Sequence, residues 1–310
     1  MKLYSALAAW WPLLSPPAHY VEEADDLLPD LRAATGASRT LLELGSGGGS
    51  LAFHLQRHFA LTLTDISEPM LAVSRAVNPE CEHLCGDMRT LALGRQFDLV
   101  LIHDAIMYAT DEDALRATLA TAYRHCRPGG TVVVLPDCVR ETFAPGASSG
   151  GEDGPDGRGL RYLEWSWDPD PDDTAFEVAY AVLLRDADGA VRAEFDRHRC
   201  GLFARATWLR LFAQEGLAAR AHRSVGTRRV QGHAHRTARV NGCRPGSRIA
   251  NASPPRKRSV VPALGSGTPP PATVPASPRA HARAMTARLR ETDPAAVAST
   301  PAPRRSDRNR

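Results

Sequence analysis

The run LLELGSGGGS, Leu41 to Ser50, decides the fold together with ALTLTD, which ends at Asp65. Leu41 and Leu42 form a short apolar run that passes through Glu43 into a loop with glycines at 45, 47, 48 and 49. After a stretch compatible with a helix comes a second apolar run, closed by Asp65. This pattern predicts a strand, a tight loop, a helix and a parallel strand. Glycines let a ligand approach the backbone, and the helix start behind them presents free N–H groups. An acid at the end of the second strand is placed to accept hydrogen bonds from two ribose hydroxyls. The unit therefore reads as a nucleoside site.

Two cofactor classes use such a unit. The dinucleotide fingerprint requires G-x-G-x-x-G. Gly45 and Gly47 satisfy it, but Ser50 occupies the third slot. The pattern present is E-x-G-x-G-x-G, from Glu43 through Gly45 and Gly47 to Gly49. In this it resembles the class I S-adenosylmethionine methyltransferases, and four further segments follow in that family's order. SEPMLAVSRA follows Asp65, and CGDMRTL supplies Asp87 and Met88. FDLVLIHDAIMY forms a strand ending near His103, and CRPGGTVVVLPD resembles the turn before the family's fifth strand. The resemblance spans roughly residues 1–224. It implies S-adenosylmethionine as cofactor, held by Tyr4, Tyr20, Glu43, Gly45, Ser46, Gly47, Gly49, Asp65, Ile66, Met70, Gly86, Asp87, Met88 and His103. Asp87 would meet the adenine amino group and Met88 its ring. Each residue also has a plainer role: Asp65 as a helix cap, Asp87 as a turn residue, Met88 as core. Their joint order carries the reading.

The expected architecture is α/β: a Rossmann-like, mostly parallel sheet with flanking helices. Strands are expected near 40–44, 60–65, 82–85, 97–103 and 131–136, and helices near 49–58, 68–76 and 112–125. Residues 1–34 read as one or two lid helices broken at Ser15-Pro16-Pro17. Tyr4, Trp10, Trp11 and Tyr20 there suit a cofactor cover or ordinary packing, which is the commoner role for tryptophan. Residues 138–204 read as an antiparallel β insertion after the fifth strand, with Gly146 to Gly159 as a flexible loop. This insertion resembles that of bacterial N-methyltransferases acting on amino sugars and other small amines, where it shapes the acceptor pocket and often a dimer interface. A helix over Arg205 to Glu215 and a sixth strand over Leu217 to Val225 would complete a domain of residues 1–225.

Composition changes at that point. No aromatic residue follows Phe212, and residues 226–310 carry seventeen Lys and Arg against three acids. The total of +3 therefore conceals an acidic body and a basic, Pro-rich tail. Such a tail cannot bury enough apolar surface to order itself, so residues 226–310 are expected to be disordered. They offer no convincing seventh strand. Three readings stay open: a nucleic-acid or anionic-surface binder, an inert extension, or an out-of-frame translation that replaced the native last strand. Six cysteines show no C-x-x-C pair, which fits reduced thiols in a soluble cytoplasmic protein. The N-terminal apolar run is short and is followed by Trp-Trp-Pro and acids in place of a small-residue cleavage site, so no cleaved signal is expected, and no run approaches a membrane span.

The expected reaction is methyl transfer to a small molecule, at an amine nitrogen, without a metal. His103, Asp104 and Tyr108, at the end of the fourth strand, are the candidate catalytic residues, with His103 the first candidate base. Tyr162, Glu164, Trp165, Trp167 and His198 in the insertion are the candidate acceptor pocket, an acidic and aromatic wall suited to a cation. HDAIMY lacks the paired prolines of base-flipping methyltransferases, which disfavours nucleic acid as acceptor. A homodimer through the insertion is expected. The competing readings are a cofactor-binding protein without turnover and, less favoured, a nicotinamide-dependent oxidoreductase.

Overall fold

The computed structural model describes residues 1–35, 39–221 and 285–289. The expected domain boundary at 225 and most of the tail fall outside these. A turn of 3-10 helix at Ala8–Trp10 leads into α1 (Trp11–Leu14), and a second at Pro17–Tyr20 leads into α2 (Val21–Thr35). Then come β1 (Thr40–Leu44), α3 (Ala52–Leu55), β2 (Ala60–Asp65), α4 (Glu68–Val77), β3 (Glu82–Cys85), β4 (Phe97–Ile102), α5 (Glu112–His125) and β5 (Cys126–Val134). The insertion contributes β6 (Gly146–Gly150), β7 (Gly159–Trp167), β8 (Ala175–Arg185) and β9 (Val191–Gly201). The chain returns through α6 (Arg205–Gln214) and β10 (Leu217–Ala221), and β11 spans Met285–Leu289.

The main sheet has the order β10-β11-β5-β4-β1-β2-β3. Strands β1 to β5 pair in parallel, while β11 runs antiparallel to both neighbours. All six residues of β4 are buried, as expected of a parallel strand covered on both faces. Period-2 alternation sorts the leucines. Leu42, Leu44, Val100, Ile102, Val132 and Val134 face α5 and α6, against Leu115, Leu119, Trp208 and Phe212. Leu41, Leu61, Leu63, Leu99, Leu101 and Val133 face α2 and α3, against Leu27, Leu31 and Leu55. Helix starts are capped by side chains: Ser67 accepts from Met70 N, and Asp111 from Ala114 N. Among the described residues no helix is long and apolar enough to cross a membrane.

Three expectations need correction. Gly146–Gly150, read as flexible loop, is a strand paired with β7, because small residues there tolerate the close approach of the Tyr162 ring. The Arg127–Gly130 turn does not precede the fifth strand but lies inside it. The register slips between the Phe97–Cys126 and Leu99–Thr131 pairs to absorb it. The sheet also has its seventh strand. Residues 285–289, assigned to a disordered tail, pair with both Leu217–Ala221 and Thr131–Val134. The five-residue segment lacks aromatic or long apolar signals, so only its backbone ladder identifies it.

The second sheet, β6-β7-β8-β9, is antiparallel throughout, with Asp186–Ala190 as the β8–β9 turn. Its inner face packs on the N-terminal segment through Leu160, Val182 and Leu184 against Leu3, Leu7, Trp10 and Leu13. Its outer face exposes Leu163, Trp165, Leu183, Val191 and Phe195 among charged residues such as Arg161 and Arg197.

A proline at 287 would remove the ladder N–H of a central strand and disturb both neighbours. We expect Ala287→Pro to lower unfolding free energy by about 3 kcal/mol, measured by urea denaturation. Unchanged stability would show that this segment does not close the sheet.

Candidate active site

The loop after β1 is pinned before any ligand arrives. Gly45 N and Ser46 N both donate to the Thr64 carbonyl, at 2.8 and 2.9 Å. Gly45 has φ +75°, and a Cβ there would lie 2.2 Å from the Ala105 Cβ. Gly49, at φ +74°, has no room either, because Ser74 Oγ and Asn78 Nδ2 lie 2.3 Å from where its Cβ would be. These two positions require glycine for conformation and for space. Asp65, at the end of β2, accepts from Gly47 N through Oδ2 and from Ser67 N through Oδ1, both at 2.8 Å. Burial raises its pKa, opposed by those N–H groups. Gly86 N donates to the Asp65 carbonyl at 2.9 Å, which brings the end of β3 to the same place.

Three buried polar atoms around this loop have no hydrogen-bond partner among the described residues: Glu43 Oε2, Ser46 Oγ and Trp11 Nε1. Glu43 is 2% exposed, and burial, tempered by His103, pushes its carboxyl up to about 7. Buried polar groups are almost always satisfied. A carboxylate, a hydroxyl and an indole N–H left open around a glycine cradle therefore fit a ligand with both donors and acceptors. Met70 is fully buried, with its Cε 3.7 Å from the position of a Gly47 Cβ. Ile66 is exposed at the rim. Asp87 is engaged by Arg89 through Nε and Nη2, which lowers its pKa, and Met88 packs half-buried on the core beside Leu91.

The N-terminal segment closes over the loop. Trp11 lies on Gly48, where a Cβ would sit 2.2 Å from Trp11 Cδ1. Ser50 Oγ donates to the Ser15 carbonyl at 2.6 Å, and Tyr20 Oη pairs with Ser15 Oγ at 2.8 Å. Ser67 Oγ donates to the Tyr4 carbonyl.

His103 directly follows β4, where the sequence placed it, and two carboxylates hold its ring. Its Nε2 lies 2.6 Å from Glu23 Oε1 and 3.3 Å from Asp104 Oδ1. Burial opposes the charged ring, yet Asp104 and Glu23 outweigh it and push the pKa up to about 10. The two carboxylates thus favour the protonated ring. It ties α2 to the end of β4.

Of the predicted site residues, the structure joins Tyr4, expected at the cofactor, to the candidate catalytic Tyr108 and the candidate acceptor-pocket His198. Tyr4 Oη and Tyr108 Oη are 2.8 Å apart, and Tyr108 Oη lies 2.9 Å from His198 Nδ1. Tyr162 and Glu164 share the inner face of β7 with this group. Trp165 and Trp167 stack on each other at 5.2 Å on the opposite face, so the expected single wall is split in two. Sequence reasoning missed Glu23, Ser67 and Asp196. Only Asp196 carried a signal, its period-2 spacing from His198.

The chain matches the family described as "Methyltransferase domain" over residues 41–130. It is 32% identical over 200 residues to dTDP-3-amino-3,4,6-trideoxy-alpha-D-glucopyranose N,N-dimethyltransferase of Streptomyces venezuelae, covering 64% of this chain and 83% of that one. It is 31% identical over 201 residues to dTDP-3-amino-3,6-dideoxy-alpha-D-glucopyranose N,N-dimethyltransferase of Streptomyces fradiae, covering 64% and 78%. The structure of CalS10 with S-adenosylmethionine bound, an amino pentose methyltransferase from Micromonospora echinaspora, superposes with a TM-score of 0.56. The two chains are 26% identical, with 64% of this chain and 84% of that one covered.

The His103 ion pair fixes a stability signature. With its folded pKa raised, its contribution is complete below the ordinary imidazole value of 6.5 and is lost as pH rises through about 10. Glu23→Gln should therefore cost about 2 kcal/mol at pH 6 and converge with wild type at alkaline pH, read as thermal melts across the range. Equal melting at pH 6 would contradict the ion pair.

Proposed function

The chain belongs to the class I S-adenosylmethionine-dependent methyltransferases, and from that premise we propose that it methylates the amine of a nucleotide-linked amino sugar. S-adenosylmethionine is the cofactor, and the acceptor is a small molecule carrying an amine nitrogen. Both curated relatives act on a dTDP-linked 3-amino sugar and differ at C4 of the ring, so the 3-amino group is the feature this reading transfers. The observation that carries the site is the set of open, buried polar atoms around the glycine loop, Glu43 Oε2 and Ser46 Oγ, beside Asp65.

Bound in this loop, the cofactor supplies a methyl group made electrophilic by its positive sulfur. The residues that would hold it are Asp65 toward the ribose hydroxyls and Gly45 to Gly49 by backbone. Glu43 and Ser46 would offer polar contacts, and Asp87 and Met88 would stand at the adenine. The chain itself orients the acceptor and excludes water. The N-terminal segment covers the loop, and residues from three separated segments, Tyr4, Tyr108 and His198, meet at the acceptor side. Fixing nucleophile and methyl in line is worth several kcal/mol on its own.

We also place the reaction in the cytoplasm, in keeping with the unpaired Cys81, Cys85, Cys126, Cys138 and Cys200, and assign the outer face of β7–β9 to a homodimer contact. That face carries Leu163, Trp165, Leu183, Val191 and Phe195, with Trp165 58% and Phe195 68% exposed. An apolar strand face in water favours association. Trp165→Glu with Phe195→Glu should convert a dimer to a monomer in sedimentation equilibrium without lowering the melting temperature. A wild-type chain that sediments as a monomer would exclude this contact.

Incubation with S-adenosylmethionine and dTDP-linked 3-amino-3,6-dideoxyglucose should give singly and doubly methylated products by mass spectrometry. Cofactor binding without transfer to any nucleotide-linked amine would refute the acceptor assignment.

A further inference from the structure

Four side chains from three segments form one continuous, partly buried hydrogen-bonded chain. Tyr4 of the N-terminal segment meets Tyr108 at 2.8 Å, Tyr108 meets His198 Nδ1 at 2.9 Å, and His198 Nε2 meets Asp196 Oδ2 at 3.0 Å. His198 is 1% exposed. Asp196 Oδ2 also accepts from the peptide N–H of Leu3 at 2.8 Å.

Donor and acceptor chemistry gives this chain a direction. An ionised carboxylate only accepts, so His198 Nε2 must donate to Asp196. A neutral imidazole carries one proton, so Nδ1 is then the acceptor and Tyr108 must donate to it. The Tyr108 oxygen therefore accepts from Tyr4. Tyr4 has committed its only proton, so its oxygen can only accept a further hydrogen bond. The surroundings preserve this state. Burial holds the His198 imidazole below its ordinary range against the pull of Asp196. The other titratable groups around the chain are the N-terminal amine, Tyr180, whose ring packs on His198, and Cys200, beside Tyr4 and Tyr108. Asp104 and Asp137 also act on Tyr4. Burial raises the pKa of both tyrosines, so they stay protonated and pass protons without ionising.

We propose that Tyr4, Tyr108, His198 and Asp196 form a one-way proton relay that takes a proton from the protonated amine acceptor to His198. This inference rests on the methyl-transfer reading above. An amine bound as its ammonium has no lone pair and cannot attack. The ammonium N–H bond breaks as its proton passes to the Tyr4 oxygen. The Tyr4 proton passes to Tyr108 and the Tyr108 proton to His198 Nδ1. The amine regains its lone pair, both tyrosines end neutral, and His198 becomes an imidazolium against Asp196. That imidazolium returns its proton to solvent before the next turnover. His198 and Asp196 are positioning residues that act through the tyrosines. Asp196 fixes the tautomer, and so the direction, of the whole chain.

Two measurements on the full chain test this. Nitrogen-15 spectra of histidine-labelled protein, with His198 assigned by loss of its signals in His198→Gln, should show the Nε2–H tautomer with a bare Nδ1. Protonated Nδ1 in the neutral ring would overturn the direction of the relay. The second is the pH profile of kcat/KM for wild type, Tyr4→Phe and Tyr108→Phe, each of which deletes one oxygen and keeps the ring. The variants should lose about 10²-fold near neutral pH and shift their acidic limb upward toward the amine's own pKa. They should recover most of the loss above it. A loss equal at every pH, as a packing role would give, overturns the relay, as does an unshifted profile. Absence of transfer by wild type at any pH overturns the methyl-transfer reading itself and the relay with it.

Discussion

The carboxylate of Asp65 bonded to the amide of Gly47 is the contact on which the rest of the site depends. It joins the loop after β1 to the end of β2, and its second oxygen holds Ser67 at the start of α4. One half-buried side chain thus fixes three pieces of backbone. The neighbouring glycines have no alternative arrangement, since Ala105 and the Ser74–Asn78 pair fill the space a side chain would need. A loop built this way is rigid before it meets a ligand, and little ordering entropy remains to oppose binding. Its cost is visible in the buried atoms left open beside it, Glu43 Oε2 and Ser46 Oγ.

The N-terminal segment is the second structural element of the site. It touches the glycine loop through Trp11 and Ser15, α4 through the Tyr4 carbonyl, and β4 through Glu23 and His103. It also supplies much of the core beneath the inner face of the small sheet, through Leu3, Leu7, Trp10 and Leu13. Cofactor side and acceptor side are therefore linked through one stretch of chain. Two different electrostatic devices operate there. His103 is clamped by two carboxylates that raise its pKa, whereas burial lowers the pKa of His198, which is held by one.

Much of this was legible in the sequence because it depends on local pattern. Alternating apolar strands, the glycine spacing and Asp65 all act within a few residues of where they stand. What depends on tertiary pairing was not legible. Nothing in VEEADD distinguishes Glu23 from its neighbours until α2 packs on β4. His103 was read as a base from its position, and the Glu23 carboxylate that holds it comes from another helix. Trp165 and Trp167 looked like pocket residues, but period-2 geometry sends them to the face opposite His198. The strand at 285–289 has a composition that favours no strand, and it exists through backbone pairing with β5 and β10.

The site's ability to bind at all rests on Asp65 and the loop it holds. Calorimetric titration of S-adenosylhomocysteine into the purified chain, beside Asp65→Ala, measures this most directly. The account predicts micromolar binding by the wild type and a loss of at least about tenfold in the variant, about 1.4 kcal/mol. Equal affinity in the two proteins, or no binding by a folded wild-type chain, would contradict it.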